Sequence, residues 1–253
     1  MNKKIALAAA AVSVLFTTAA VAADMAPRYY ANAPPPAAIA IYNWTGFYVG
    51  VHGGGAWAHT NVRDVDAYAE AALPGTVTTV NTSGFLAGGQ IGYNWQASQY
   101  VLGIEADGGW MDIGGTTPLT AAVSGTRVGL RSGSYGDITA RLGLAFNSAL
   151  LYVKGGWAIL DDASQFGTVS GSFSGRTTHS FNNGYVIGAG IEFGFTPNWS
   201  AKVEYLHFDF GNTLNYTVFN AVGTPFRFSQ NLTVETAKVG VNYRFGGPLV
   251  ARY

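Results

Sequence analysis

GFYVGVHGGGAW, residues 46–57, sets Phe47, Val49 and Val51 at alternate places and puts Gly50, His52 and Gly54 between them. A period of two belongs to a strand, because helical faces recur every 3.6 residues. A half-buried strand of a soluble sheet would carry a polar face opposite its bulky one. Here the opposite face is mostly hydrogen atoms. A bulky side turned to lipid, around an interior so narrow that glycine is needed to relieve crowding, accounts for both halves of the pattern.

The same alternation returns along the chain, near residues 85–95, 102–110, 137–146, 151–158, 187–193, 199–205 and 238–245. Ile187, Ala189, Ile191 and Phe193, for example, oppose Gly188, Gly190 and Glu192. With the first stretch this makes eight runs, an even number, each near the roughly 9–11 residues that a tilted strand needs to cross hydrocarbon. The connections alternate. Those at Ala97-Ser98, Asn147-Ser148 and Pro197-Asn198 are short, whereas those around 59–82, 113–134, 161–180 and 211–229 are long. Tight turns at one end and long loops at the other describe an all-β fold, an eight-stranded antiparallel up-and-down transmembrane β-barrel. Closure also removes the edges that lipid could not satisfy. Phe47, Trp95, Tyr100, Trp110, Phe146, Trp199 and Phe245 fall near strand ends, where aromatic girdles belong. A soluble sandwich would alternate too, but it would hide its bulky face and show charge to water in place of glycine.

Composition agrees with that phase. Only 11% of the 253 residues are charged, against roughly 25% in soluble domains. The formal net charge is zero, without the basic surplus of a nucleic-acid binder. There is no cysteine, so stability comes from the hydrogen-bonded framework and from lipid instead of disulfides. At the N-terminus, Lys3 and Lys4 precede an apolar run from Ile5 to Phe16 and then small residues, as in a secretory signal. Residues 1–23 are expected to be that signal, cleaved after Ala23, with Ala22 also suiting the rule. Residues 24–42, rich in alanine and proline with Pro34, Pro35 and Pro36 in a row, read as a polyproline-like periplasmic arm. The barrel is assigned to residues 43–253.

This phase turns Glu105, Asp107, Asp137, Glu192 and Glu204 inward together with Arg141, Lys154, Lys202, Lys238 and Arg244. Charges in so narrow a space are tolerated only when paired and hydrogen-bonded, so a structural ion-pair network is expected to plug the lumen. The alternative is a narrow porin for small solutes or ions, lined by the same groups. Chemistry of other kinds finds little footing. His52, His59, His179 and His207 lack metal-site spacing, and no cofactor or metal is expected. His179 and Ser180, adjacent on a strand, point to opposite faces, which argues against a hydrolase pair. Gly53, Gly54 and Gly55 precede neither a P-loop lysine nor a helix. No catalytic residue is assigned and the chain is read as no enzyme.

Taken in order, NWTGFYVG (43–50), GYNW (92–95), GIEAD (103–107), RLGLAF (141–146), YVKGGWA (152–158), GAGIEFGF (188–195), KVEYLHFDFG (202–211) and VGVNYRF (239–245) resemble the small immunogenic, porin-like outer-membrane proteins of alphaproteobacteria. The resemblance implies a surface-exposed barrel of the bacterial outer membrane that contributes to envelope integrity and to host or environmental contact. It brings no catalytic residues. Its implied partners are outer-membrane lipid and lipopolysaccharide and the barrel-assembly machinery, with surface ligands left unnamed. Such barrels commonly finish in an aromatic residue read during assembly. Here Phe245 ends the last strand but Gly246 to Tyr253 follow, with Pro248 unable to continue a ladder. Phe245 and Tyr253 are therefore the two candidates for the assembly signal.

Overall fold

The computed structural model describes residues 42–67, 73–118, 126–168, 178–219 and 224–245. The expected signal peptide, the arm up to residue 41 and the candidate Tyr253 lie outside the described residues. Eight strands follow one another: β1 (Gly46–Asp64), β2 (Thr76–Ala97), β3 (Tyr100–Pro118), β4 (Thr126–Phe146), β5 (Ala149–Thr168), β6 (Thr178–Gly194), β7 (Trp199–Phe219) and β8 (Pro225–Arg244). Each pairs antiparallel with its neighbours, and β1 pairs with β8 from Tyr48↔Arg244 to Asp64↔Phe228, so the sheet is a closed barrel. The tight turns sit at Ser98, at Asn147 and across Phe195–Asn198, all at the end where Tyr42 and Phe245 lie.

Outward side chains draw the lipid boundary. Phe47, Trp95, Tyr100, Phe146, Trp199 and Phe245 ring one level, and Trp57, Phe85, Trp110, Trp157, Tyr185 and Tyr205 ring another, all exposed on the outer wall. Aliphatic side chains such as Val51, Ile91, Leu142, Val153 and Val239 fill the band between them. From Phe47 to Trp57 is ten residues of β1, which at about 3.3 Å each and a tilt of roughly 40° covers about 25 Å along the membrane normal.

The strands do not stop there. Where sequence periodicity places long connections at 59–82, 113–134, 161–180 and 211–229, most of those residues continue the hairpins, leaving only short segments between the strands. The reason lies on the two faces. Beyond Trp57 the outer face turns polar, with His59, Asn61 and Arg63 exposed, while the inner face keeps Ala58 and Val62 buried. Register shifts between Trp110 and Gly114, between Ser132 and Tyr135, and between Asp209 and Asn212 mark the exit from the apolar band on three hairpins. Inside this upper part a cluster including Leu86, Met111, Ile113, Leu160, Leu206, Phe208, Phe210 and Leu232 forms an apolar core. Each such fully buried side chain is worth roughly 1.5–3 kcal/mol, which stabilises sheet that no longer has lipid around it.

The glycines follow the predicted phase. A Cβ on inward Gly50 would collide with Asn242 Oδ1 and Gln90 Nε2, and one on inward Gly92 with the Tyr48 ring. On the outer face a Cβ at Gly53 or Gly108 would meet a backbone oxygen at an ordinary 3.6 Å.

Candidate functional site: the buried charges of the lumen

Glu105 on β3 is fully buried and stands at the centre. Lys154 Nζ, from β5, lies 2.5 Å from its Oε1. Lys202 Nζ, from β7, is 3.3 Å from Oε2, and the Tyr48 hydroxyl donates to the same oxygen at 2.8 Å. Arg141 Nη1, from β4, is 4.0 Å away. The two lysines also reach Glu204, at 3.5 and 3.1 Å, where the Tyr152 hydroxyl donates at 2.7 Å. Lys238 bridges Glu204 at 3.6 Å and Asp107 at 2.5 Å. Arg141 closes the other side on Glu192 at 3.1 Å, while Ser200 and Asn242 donate to Glu192 at 2.5 and 2.8 Å.

Glu105, Asp107, Glu192 and Glu204 therefore form one connected and charge-balanced set with Arg141, Lys154, Lys202 and Lys238. A lysine amine has three donors and a carboxylate about four acceptor sites, so shared contacts of this kind compensate groups that have lost water, although among the described residues Asp107 Oδ1, Arg141 Nη2 and Glu204 Oε2 make no hydrogen bond. The Arg141 guanidinium is also sandwiched by aromatic rings, 4.8 Å from the Tyr48 centroid and 5.1 Å from that of Tyr152, and donates from Nε to Asn94. This makes Arg141 the element that ties charge, ring and amide together.

Two of the ten residues expected in the network stand apart from it. Asp137 faces the lumen opposite Asp107 in the β3–β4 register and is buried, but no donor among the described residues reaches its carboxylate. Arg244 sits at the tight-turn mouth instead. It donates to the Asn43 and Pro197 carbonyl oxygens and stacks on Tyr42 at 4.3 Å. One turn-side feature had no counterpart in the sequence reading: Trp44, only 1% exposed, is tucked beneath the barrel against Val101, Leu150 and Tyr152. Its backbone N–H donates to Gln96 Oε1 at 2.7 Å, which anchors the chain just before β1.

His52 is a lumen residue, as its place opposite the bulky face suggested. Its Nδ1 pairs with Gln90 Oε1 at 2.5 Å and its Nε2 with the Tyr135 hydroxyl at 2.6 Å. Gln90, Asn94, Asn242 and Ser200 complete the polar lining at neutral inward positions that the search for charges passed over; the same period-two phase identifies them. Among the described residues no group of three acidic or histidine side chains is arranged to hold a metal ion. The side chains of His179 and Ser180 lie outside those described. At the opposite rim Asp66 and Arg227 make a bidentate pair with oxygen–nitrogen distances of 2.8 and 2.9 Å, and the guanidinium holds the half-buried Asp66 carboxyl down to about 2.

Residues 8–245 match the family described as the outer membrane protein beta-barrel domain. A 31 kDa outer-membrane immunogenic protein of Brucella melitensis is 29% identical over 249 residues, covering 93% of this chain and 98% of the relative. A 22 kDa outer membrane protein of Rhizobium leguminosarum is 30% identical over 205 residues, covering 80% and 79% respectively. Among solved structures, the outer membrane protein OprG of Pseudomonas aeruginosa aligns at a TM-score of 0.48 and 11% identity, over 79% of this chain and 97% of that one.

Proposed function

Because the chain belongs to the outer membrane protein beta-barrel domain family, and so is an eight-stranded barrel of the bacterial outer membrane, we propose that it is a closed structural element that presents surface loops. Envelope integrity and surface recognition are its roles in this reading, and it carries out no catalysis. The observation that carries the proposal is the Glu105 cluster, in which every acid and base is at most 3% exposed at its side chain. A solvated ion would have to displace contacts of 2.5–3.6 Å to pass. Trp44 below and the apolar core above support the same reading. The relatives' names, which speak of outer-membrane immunogenic proteins, support exposure at the surface.

Planar-bilayer recording of the refolded full barrel tests the plug. The expected result is a flat baseline with no steady openings. Reproducible conductance steps would replace the plug with the narrow-porin reading.

For assembly we propose that Phe245 is the residue read by the barrel-assembly machinery. It closes the last strand with its N–H donating to Phe47 O at 2.8 Å and keeps its ring on the lipid face. Phe245→Ala is expected to reduce the heat-modifiable, membrane-inserted fraction severalfold while Tyr253→Ala leaves it unchanged. The reverse result would transfer the signal to Tyr253.

A further inference from the structure

On the outer wall, where β7, β8, β1 and β2 cross the upper aromatic ring, polar and apolar cavities lie one below the other. The upper one, about 410 Å³, is lined by Trp57, His59, Asn81, Ser83, Tyr205 and Glu235. Its polar groups are held in place by one another. Tyr205 donates to Glu235 Oε2 at 2.7 Å, His207 Nδ1 pairs with Glu235 Oε1 at 2.6 Å, and His59 Nδ1 pairs with Asn81 Oδ1 at 2.8 Å. The bond of His59, which lines the pocket, uses Nδ1 and not Nε2, while His207 braces Glu235 from outside the lining. The Trp57 indole lies over Gly55, whose missing Cβ would meet its Cη2 at 3.1 Å.

Below, on β6, β7, β8 and β1, an apolar groove of about 610 Å³ is bordered by the outward side chains of Val51, Phe193, Ala201, Val203, Val239 and Val241. Along β8 only Ala237 separates the two, and on β1 its register partner Gly55 lies beneath the Trp57 ring. Glu235 to Val241 is six residues of one strand, about 20 Å of strand and about 15 Å along the membrane normal, or one leaflet of a roughly 30 Å hydrocarbon core.

We infer that this stripe binds one outer-leaflet glycolipid, with a pyranose ring of its headgroup against Trp57 and an acyl chain in the groove. The headgroup unit is a sugar and not a phosphate, because among the described residues no lysine or arginine lines the pocket. Its single carboxylate is already engaged by His207 and Tyr205. An aromatic side chain beside planar amide, imidazole and carboxylate groups matches a ring that has an apolar face and a rim of hydroxyls. In this membrane the glycolipid of the outer leaflet is lipopolysaccharide. The inference rests on the outer-membrane placement and names a partner for the envelope role. It does not depend on whether the lumen conducts, so bilayer recordings and lipid binding fail separately.

The test is native mass spectrometry of the full refolded barrel in detergent, titrated with purified lipopolysaccharide, with its deacylated saccharide, or with dimyristoylphosphatidylglycerol. Wild type is expected to hold one lipopolysaccharide. Trp57→Ala and Asn81→Ala should each weaken that binding about tenfold, equivalent to about 1.4 kcal/mol. Trp157→Ala, in the same ring on the far wall, should leave it unchanged, and the saccharide and the phosphatidylglycerol should each bind at least about tenfold more weakly. Heat-modifiable migration identifies the variants that fold. Equal losses for Trp57→Ala and Trp157→Ala, or equal affinity for the phosphatidylglycerol, would reduce the stripe to ordinary annular contact and overturn the inference. Undiminished binding of the saccharide would remove the groove from it.

Discussion

Glu105→Ala should cost the barrel about 3–5 kcal/mol of stability, the range for removing one partner of a buried ion pair. Three cations converge on this carboxylate, with Lys154 at 2.5 Å, Lys202 at 3.3 Å and Arg141 at 4.0 Å. Its removal leaves four buried bases facing three acids in the connected set. Glu105→Gln keeps an acceptor for Tyr48 but not the charge, so its loss should approach that of alanine. Removing Lys154 together with Glu105 restores neutrality, and the double variant should be more stable than the sum of the singles predicts by about 1 kcal/mol or more. Urea unfolding in lipid vesicles, followed by tryptophan fluorescence and heat-modifiable migration, measures all three. A single-variant loss below about 1 kcal/mol would mean that water replaces the carboxylate, and the lumen would then have to be wet.

The second large effect concerns two adjacent glycines on β5. Gly156 points inward, and a Cβ there would collide with the Ile138 carbonyl oxygen and lie 2.7 Å from Thr139 Cα. Both are backbone atoms of β4, so no rotamer change relieves the overlap. Gly155 points to lipid, and its Cβ would meet Val186 O at 3.4 Å, an ordinary contact. Gly156→Val is therefore expected to lose about 3 kcal/mol or more, beyond the usual overpacking range, and to yield little folded barrel. Gly155→Val should fold like the parent. Refolding yields in detergent decide the matter, and equal tolerance at both sites would mean that the faces have been assigned the wrong way round.

That phase was the most legible feature of the sequence, because bulky residues and glycines alternate most clearly where the chain crosses lipid. Tyr48, His52 and Asn94 share the inward phase with Glu105 and Arg141, so the membership of the polar lining followed once the phase was set. The partners within it did not. Which lysine meets which carboxylate depends on barrel stagger, and Asp137, inward like the others, finds no donor among the described residues. The upper half of the barrel was hidden for a different reason: beyond Trp57 an outer face of His59, Asn61 and Arg63 resembles a loop in composition, while Phe208, Phe210 and Leu232 turn inward as in a soluble protein. The environment reverses along a single strand, and a reading tuned to lipid ends at the reversal. Trp44 was missed because it follows a proline-rich stretch and belongs to no alternating run.

The apolar core above the bilayer has a mechanical corollary. It gives the outward-facing rim a stiff collar whose rigidity comes from its own filling, independent of the segments that join the strands there. Those bridges can lengthen, shorten or change composition without disturbing any strand inside the bilayer, so the exterior of this molecule is free to diversify while its anchor stays constant.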